Sequence, residues 1–417
     1  MTGLLGGGHA IYWEADAARA RNLDCFVAVP SGTGEMVALE VPFGEELVHY
    51  AVGPASFAVP GLPDGLRALS RDFGRLPWRE LVEPALRLAR RGVAMPLAHA
   101  RCLAMLAPVM TMNEGARIYA PGGRLLHEGE MLDQPGLVHA LELVRDEGPE
   151  TVYDGTIAET ILGLCHSRGG VVMRQDLAAY EAKWVDPVEV EFRAARFLTR
   201  AGLSGVPDTL ARLPALRGRD EVQRMTALLA ALGEEQPATA AHTTNLVTVD
   251  DDGNACVLTS SLGLGSGDFL PGLDLHLNSM LGESDLVRGN PEPGERMESM
   301  MAPSVAVDGD GLALAIGSAG GTRLRTALIG VTAGILDEGL DAQAAVDRPR
   351  FHPVVRLLHA EPGVPEDALA ELERSGWTIR VWPERHHYFG GVSAIARSGP
   401  AADPRRSGAA APLRGGC

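Results

Sequence analysis

Residues 243–261 read TTNLVTVDDDGNACVLTSS. Two runs rich in β-formers, 245–249 and 255–260, flank Asp250-Asp251-Asp252-Gly253-Asn254. Asp, Gly and Asn tolerate the left-handed backbone of tight turns, so the stretch predicts a β-hairpin. Just upstream, residues 234–241 (EEQPATAA) are small, polar and proline-bearing, the texture of a linker. The hairpin therefore opens on a Thr-Thr pair that abuts a linker. Downstream, residues 305–307 and 312–316 predict a second hairpin around Asp308-Gly309-Asp310-Gly311, and residues 322–336 a buried helix. Two hairpins and apolar helices in one half imply a layered α/β (α+β) sandwich with antiparallel sheet.

The first half reads as mixed helix and loop. Residues 78–91 carry Leu81, Val82, Ala85, Leu86, Leu88 and Ala89 at helical spacing, with Gly92 as a stop and Pro84 as an interior cost. Residues 156–167 place Ile157, Ile161 and Leu164 on one face before Gly169-Gly170. Val188, Val190 and Phe192 alternate with acids, as in a half-buried strand. Residues 221–232 turn Val222, Met225, Leu229 and Leu232 inward.

A chain of 417 residues, 46% hydrophobic and 22% charged, is globular and buries a sizeable core without staples. Its net charge of −17, without basic runs, makes it a poor candidate for nucleic acid or anionic membrane, and neither is expected as a partner. Five scattered cysteines, never CxxC, exclude a disulfide framework and a cysteine zinc site. The first residues show no basic start followed by an apolar run, and no stretch is long enough for a membrane span, so the expected location is the cytoplasm.

No HExxH, Walker loop, GxSxG or dinucleotide fingerprint is present, and no cofactor is expected. The GLGSG of residues 263–267 lacks the Lys-Ser/Thr of a phosphate loop. His386-His387 with His352 has no ligand-spaced carboxylate, so no metal is assigned. Thr243 has two readings. It is a β-former opening a strand, or it is a nucleophile. A threonine hydroxyl needs a neighbouring base, and cleavage between His242 and Thr243 would supply one as a free α-amine.

A series of motifs bears on that choice. After residues 243–261 come LGSG, PG and LNSMLGE, then MMAP (300–303), GSAGGTR (317–323), RPRFH (348–352), FGGV (389–392) and ADPRR (402–406). Upstream lie a glycine-rich start (3–8), AVPGLPDG (58–65) and GRLPW (74–78). In this order they resemble the gamma-glutamyltransferase (gamma-glutamyltranspeptidase) family almost from end to end. The resemblance implies an αββα sandwich of the N-terminal-nucleophile hydrolase type. It also implies self-cleavage at His242–Thr243 into a large segment, 1–242, and a small one, 243–417, that stay associated as a heterodimer within one domain. Thr243 matches the nucleophile, Ser261 the hydroxyl that orients its amine, and Gly320 and Gly321 the oxyanion amides. Glu283 matches the acid that receives the substrate's α-amino group, and Ser299 a contact to its α-carboxylate.

Departures from the family pattern fall in the substrate pocket. The arginine that clamps the substrate carboxylate is replaced by Phe26, the paired serines by Ser299-Met300, and the histidine after the Thr-Thr pair by Asn245. An apolar ring cannot replace a bidentate guanidinium. Family members precede the glycines with a strand and an apolar helix, whereas this sequence opens on the glycines: either its start is misplaced or the fold lacks one layer element, whose absence would expose neighbouring side chains. The expected function is an N-terminal threonine amidohydrolase or acyltransferase. It would cut a gamma-glutamyl or related small-molecule amide and pass the acyl group to water or an amine. The alternatives are an acylase for a non-glutamyl amide and an unprocessed, non-catalytic remnant that binds a small acid.

Overall fold

The computed structural model describes residues 2–43, 46–233, 243–287 and 289–412. Two antiparallel sheets face each other. The first runs, in spatial order, Thr244–Val249, Ala255–Ser261, Gly7–Glu14, Arg19–Cys25 and Lys183–Val185. The second runs Gly399–Ala402, Gly391–Ala396, Gly311–Ala319, Ser304–Asp308, Ala195–Thr199 and Val188–Phe192. Each sheet thus takes strands from both sides of residue 243.

Period-two alternation builds the layers. In Gly7–Glu14, Ile11 and Trp13 point inward and meet Val257, Leu198, Val305 and Ala315 between the sheets. Ala10 points outward, with Leu23 and Cys25, onto Ala68 of the helix Leu62–Phe73. On the other side Leu314 and Ile316 pack against Leu324, Leu328 and Val331 of the helix Arg323–Leu336. The order is helix, sheet, sheet, helix.

Both predicted hairpins form, with Val247 opposite Val257 in the first and Val305 opposite Ala315 in the second. The helices Trp78–Arg91 and Glu221–Leu232 match the expected bounds, and the third runs one residue further, Thr156–Arg168. Asp220 caps one of them by accepting the Gln223 N–H at 2.8 Å. Two expectations need correction. The first half is not only helix and loop, because Gly7–Glu14 and Arg19–Cys25 are central strands of the first sheet. Glycine conceals the first of these from propensity. It is required there, since a Cβ at Gly8 would lie 2.4 Å from the Thr259 carbonyl oxygen.

The second correction concerns the inward face of Trp78–Arg91. Val82 and Leu86 are buried, but Leu81 and Leu88 are exposed. They border two neighbouring cavities of about 580 and 380 Å³, which share Leu4, Ala85 and Leu141. The larger cavity lies over Tyr12, Thr248 and Cys256 on the outer face of the first sheet. The linker at 234–241 and His242 lie outside the described residues.

Candidate active site

The alternation that fills the inter-sheet layer also builds the site. Residues 245, 247 and 249 face the second sheet, and so does 243, at the strand's beginning. Thr244 pairs with Ser260, and the same register sets Thr243 beside Ser261 at the end of the partner strand. The opposite wall comes from the end of Gly311–Ala319 and the start of Arg323–Leu336. Between this strand and this helix, Gly320 (φ 139°) and Gly321 (φ 60°) turn the chain through conformations that favour glycine.

A small pocket of about 20 Å³ lies where these ends meet, room for one water. Thr243, Ser261, Glu283, Ser299 and Gly321 line it, together with Phe26, Met280, Leu286, Met300, Met301 and Leu324. Of the described residues aligned with the family's site, two lie off the lining. Gly320 stands one residue behind Gly321. Asn245 is turned to the sheet–sheet interface, where its Oδ1 accepts the Thr259 hydroxyl at 2.7 Å. Its amide lies so close to Gly317 that a Cβ there would meet Oδ1 at 2.0 Å. Sequence reasoning missed Leu286, Met301 and Leu324. They are ordinary apolar residues, and only the tertiary fold gives them a role as walls.

The two serines are held by hydrogen bonds. Ser261 Oγ accepts the Gly263 N–H at 2.9 Å. Ser299 Oγ accepts the Met301 N–H at 3.2 Å, and its carbonyl takes Arg200 Nη1 at 2.8 Å and the Leu203 N–H at 3.2 Å. Phe26 is fixed through its backbone. Its N–H donates to Asp24 Oδ1 at 3.0 Å, its carbonyl accepts the Tyr180 hydroxyl at 2.6 Å, and its ring stacks on His9 at 5.5 Å. Burial, with Arg200 and Arg296 nearby, holds the His9 imidazole well below its usual pKa, so the ring behind Phe26 is neutral.

Glu283 is the outlier. Its side chain is buried, Oε1 has no hydrogen-bond partner, and burial pushes its pKa up to about 8. Gly263 leaves space for it, since a Cβ there would lie 2.4 Å from Oε1. The pocket thus offers one unsatisfied carboxyl among apolar walls, a site that favours a cation or a neutral hydrogen-bond acceptor.

The histidines weighed for metal are built into packing. His352 Nδ1 shares a hydrogen bond with the Thr326 hydroxyl at 2.9 Å, and His386 Nδ1 accepts the Tyr388 N–H at 3.1 Å. Among the described residues no group of three His, Cys, Asp or Glu gathers to hold an ion. No described helix is long and apolar enough to cross a membrane.

Known proteins share this architecture. The gamma-glutamyltranspeptidase family model matches residues 1–225 and 207–413. A glutathione hydrolase proenzyme of Schizosaccharomyces pombe is 24% identical over 95% of this chain and 75% of its own. An acylase ACY 1 proenzyme of Pseudomonas sp. strain V22 is 25% identical over 95% of this chain and 82% of its own. The crystal structure of cephalosporin acylase from Bacillus halodurans superposes with a TM-score of 0.84, at 22% identity, over 99% of this chain and 88% of that one.

Proposed function

The chain belongs to the gamma-glutamyltranspeptidase family, and on that premise we propose that it is a self-processing amidohydrolase or acyltransferase working through an ester on Thr243. The observation that supports this most is the meeting of Thr243, Ser261, Glu283, Ser299 and Gly321 in one small pocket at the end of the sheets.

In the precursor, Thr243 Oγ1 attacks the carbonyl carbon of residue 242. Its proton passes to the Thr243 nitrogen as the C–N bond breaks, leaving an ester. Water opens the ester and frees a carboxylate on residue 242 and an α-amine on Thr243. That amine then takes the proton of its own hydroxyl as Oγ1 attacks a substrate amide. The Gly320 and Gly321 amides stabilise the tetrahedral oxyanion, an interaction worth about 2.7–4 kcal/mol per donor. The departing amine carries the proton away, and water or an amine acceptor releases the acyl group.

The acyl group is one whose distal end carries no carboxylate. Phe26, Met280, Met300 and Met301 offer a ring and thioethers, and a carboxylate buried among them without a cation costs several kcal/mol. Glu283 accommodates an amine on that acyl group. The flexible methionines let the 20 Å³ cavity widen.

Intact mass after expression tests the reading. Wild type is expected as two pieces, 1–242 and 243–417, and Thr243→Ala as one. Cleavage of purified Thr243→Ala at the same bond would show that the chain does not process itself.

A further inference from the structure

The ADPRR stretch near the C-terminal end divides its two arginines between different tasks. Arg405 is neutralised, its guanidinium held by Glu361 and Asp403. Arg406 is not: among the described residues no carboxylate oxygen lies within 4 Å of it. Its Nη2 donates to the His387 carbonyl at 3.2 Å, and its Nε is buried with no partner. A half-buried guanidinium with its Nε unsatisfied is costly, and such costs persist where they serve a site.

What Arg406 touches is the candidate oxyanion turn. A Cβ at Gly320 would sit 3.3 Å from Arg406 Nη2 and 2.8 Å from Gly390 Cα. A Cβ at Gly391 would sit 2.3 Å from Arg406 Cδ. The arginine stem therefore runs over one glycine and its head rests on the other. The cationic Arg323 side chain is buried alongside, its Nε donating to the Tyr388 carbonyl at 3.3 Å. Both cations stand at the N-terminal end of the helix Arg323–Leu336, where the helix dipole is already positive. Negative charge that develops at that end is stabilised.

We propose that Arg406 is a positioning residue for the oxyanion turn: its guanidinium fixes the Gly320 backbone and sets a positive charge behind the Gly320 and Gly321 amides. The inference rests on the acyl-transfer reading for the role of those amides. It acts on the transition state, where the oxyanion forms, and not on the bound amide.

Arg406→Gln removes the charge, and Arg406→Lys keeps it. Direct removal of one oxyanion donor costs about 10²–10³ in kcat, so loss of the charge behind it should cost about tenfold or more. KM should stay within about twofold, and a boronate that forms a tetrahedral adduct with Thr243 should lose affinity by the same factor as kcat. Arg406→Lys should recover most of both. An unchanged kcat, a loss confined to KM, or equal losses in both variants with a lowered melting temperature would overturn the proposal. A second measurement needs no turnover. Bromide soaked into wild-type crystals should occupy the Gly320–Gly321 amides and be lost from Arg406→Gln. A wild-type site without bromide would count against the proposal even if the Gln variant failed to fold. A chain never cleaved after residue 242 that still holds bromide there would defeat the hydrolase reading and leave this one standing.

Discussion

Glu283 and Phe26 carry opposite halves of the pocket's chemistry. Glu283 keeps its proton in the folded chain up to about pH 8, because burial penalises the carboxylate. In the unfolded chain it ionises near the ordinary glutamate value. Below that value both states bind the proton and stability is unaffected. Above it the unfolded chain releases a proton that the folded chain retains, so stability falls as pH rises, by up to ~1.4 kcal/mol per unit, until the folded group ionises near 8. Glu283→Gln should remove this slope. Urea midpoints from pH 5 to 8, measured on the uncleaved Thr243→Ala chain, should converge for the two proteins at the acid end and separate in favour of Gln at the basic end. Parallel curves would mean that Glu283 is ionised when folded. Phe26 is tested by substrate choice. Processed wild type should turn over neutral acyl amides better than γ-glutamyl or glutaryl ones, and Phe26→Arg should shift preference toward γ-glutamyl. A wild-type preference for γ-glutamyl would restore the ordinary family specificity.

At the level of single elements, the helix Trp78–Arg91 shows what a local pattern specifies and what it leaves open. Its bounds follow from spacing and from Gly92, which takes φ 74° and donates its N–H to the Ala89 carbonyl. Which apolar residues are covered does not follow, because that depends on what lies opposite. Ala85 faces both cavities and is itself exposed. Ala85→Leu places new methyl groups in that space, each buried carbon being worth about 0.8 kcal/mol, so it should stabilise the chain by ~1–2 kcal/mol. A destabilised variant would show that the helix cannot shift to accept the larger side chain. The first hairpin was readable because alternation and turn chemistry agree. The strand Gly7–Glu14 was not, since its glycines serve close strand approach, a tertiary requirement. The same division holds in the pocket. Ordered motifs singled out Thr243, Ser261, Glu283 and Gly321, whereas Leu286, Met301 and Leu324 carry no local mark of being walls. Asn245 has the reverse history: its place beside the Thr-Thr pair pointed to substrate, but alternation turns it into the sheet–sheet interface.

The whole molecule is woven so that a cut before Thr243 divides neither sheet from the other. Ala255–Ser261 pairs with Gly7–Glu14 along seven residues, and Ser304–Asp308 pairs with Ala195–Thr199. Both ladders join residues before position 243 to residues after it. The inter-sheet cluster likewise joins Ile11, Trp13 and Leu198 from one segment to Val257, Val305 and Ala315 from the other. Separating the segments would expose these ladders' amides and the apolar layer together, at a cost far above that of a single exposed peptide bond. The processed segments should therefore co-elute in size exclusion without denaturant. They should also unfold in one transition, because neither retains either of the two large facing sheets complete. Two transitions, with 1–242 melting apart from 243–417, would show that one segment holds a core of its own. Partial separation at low protein concentration would place the affinity far below what ladders of this length predict.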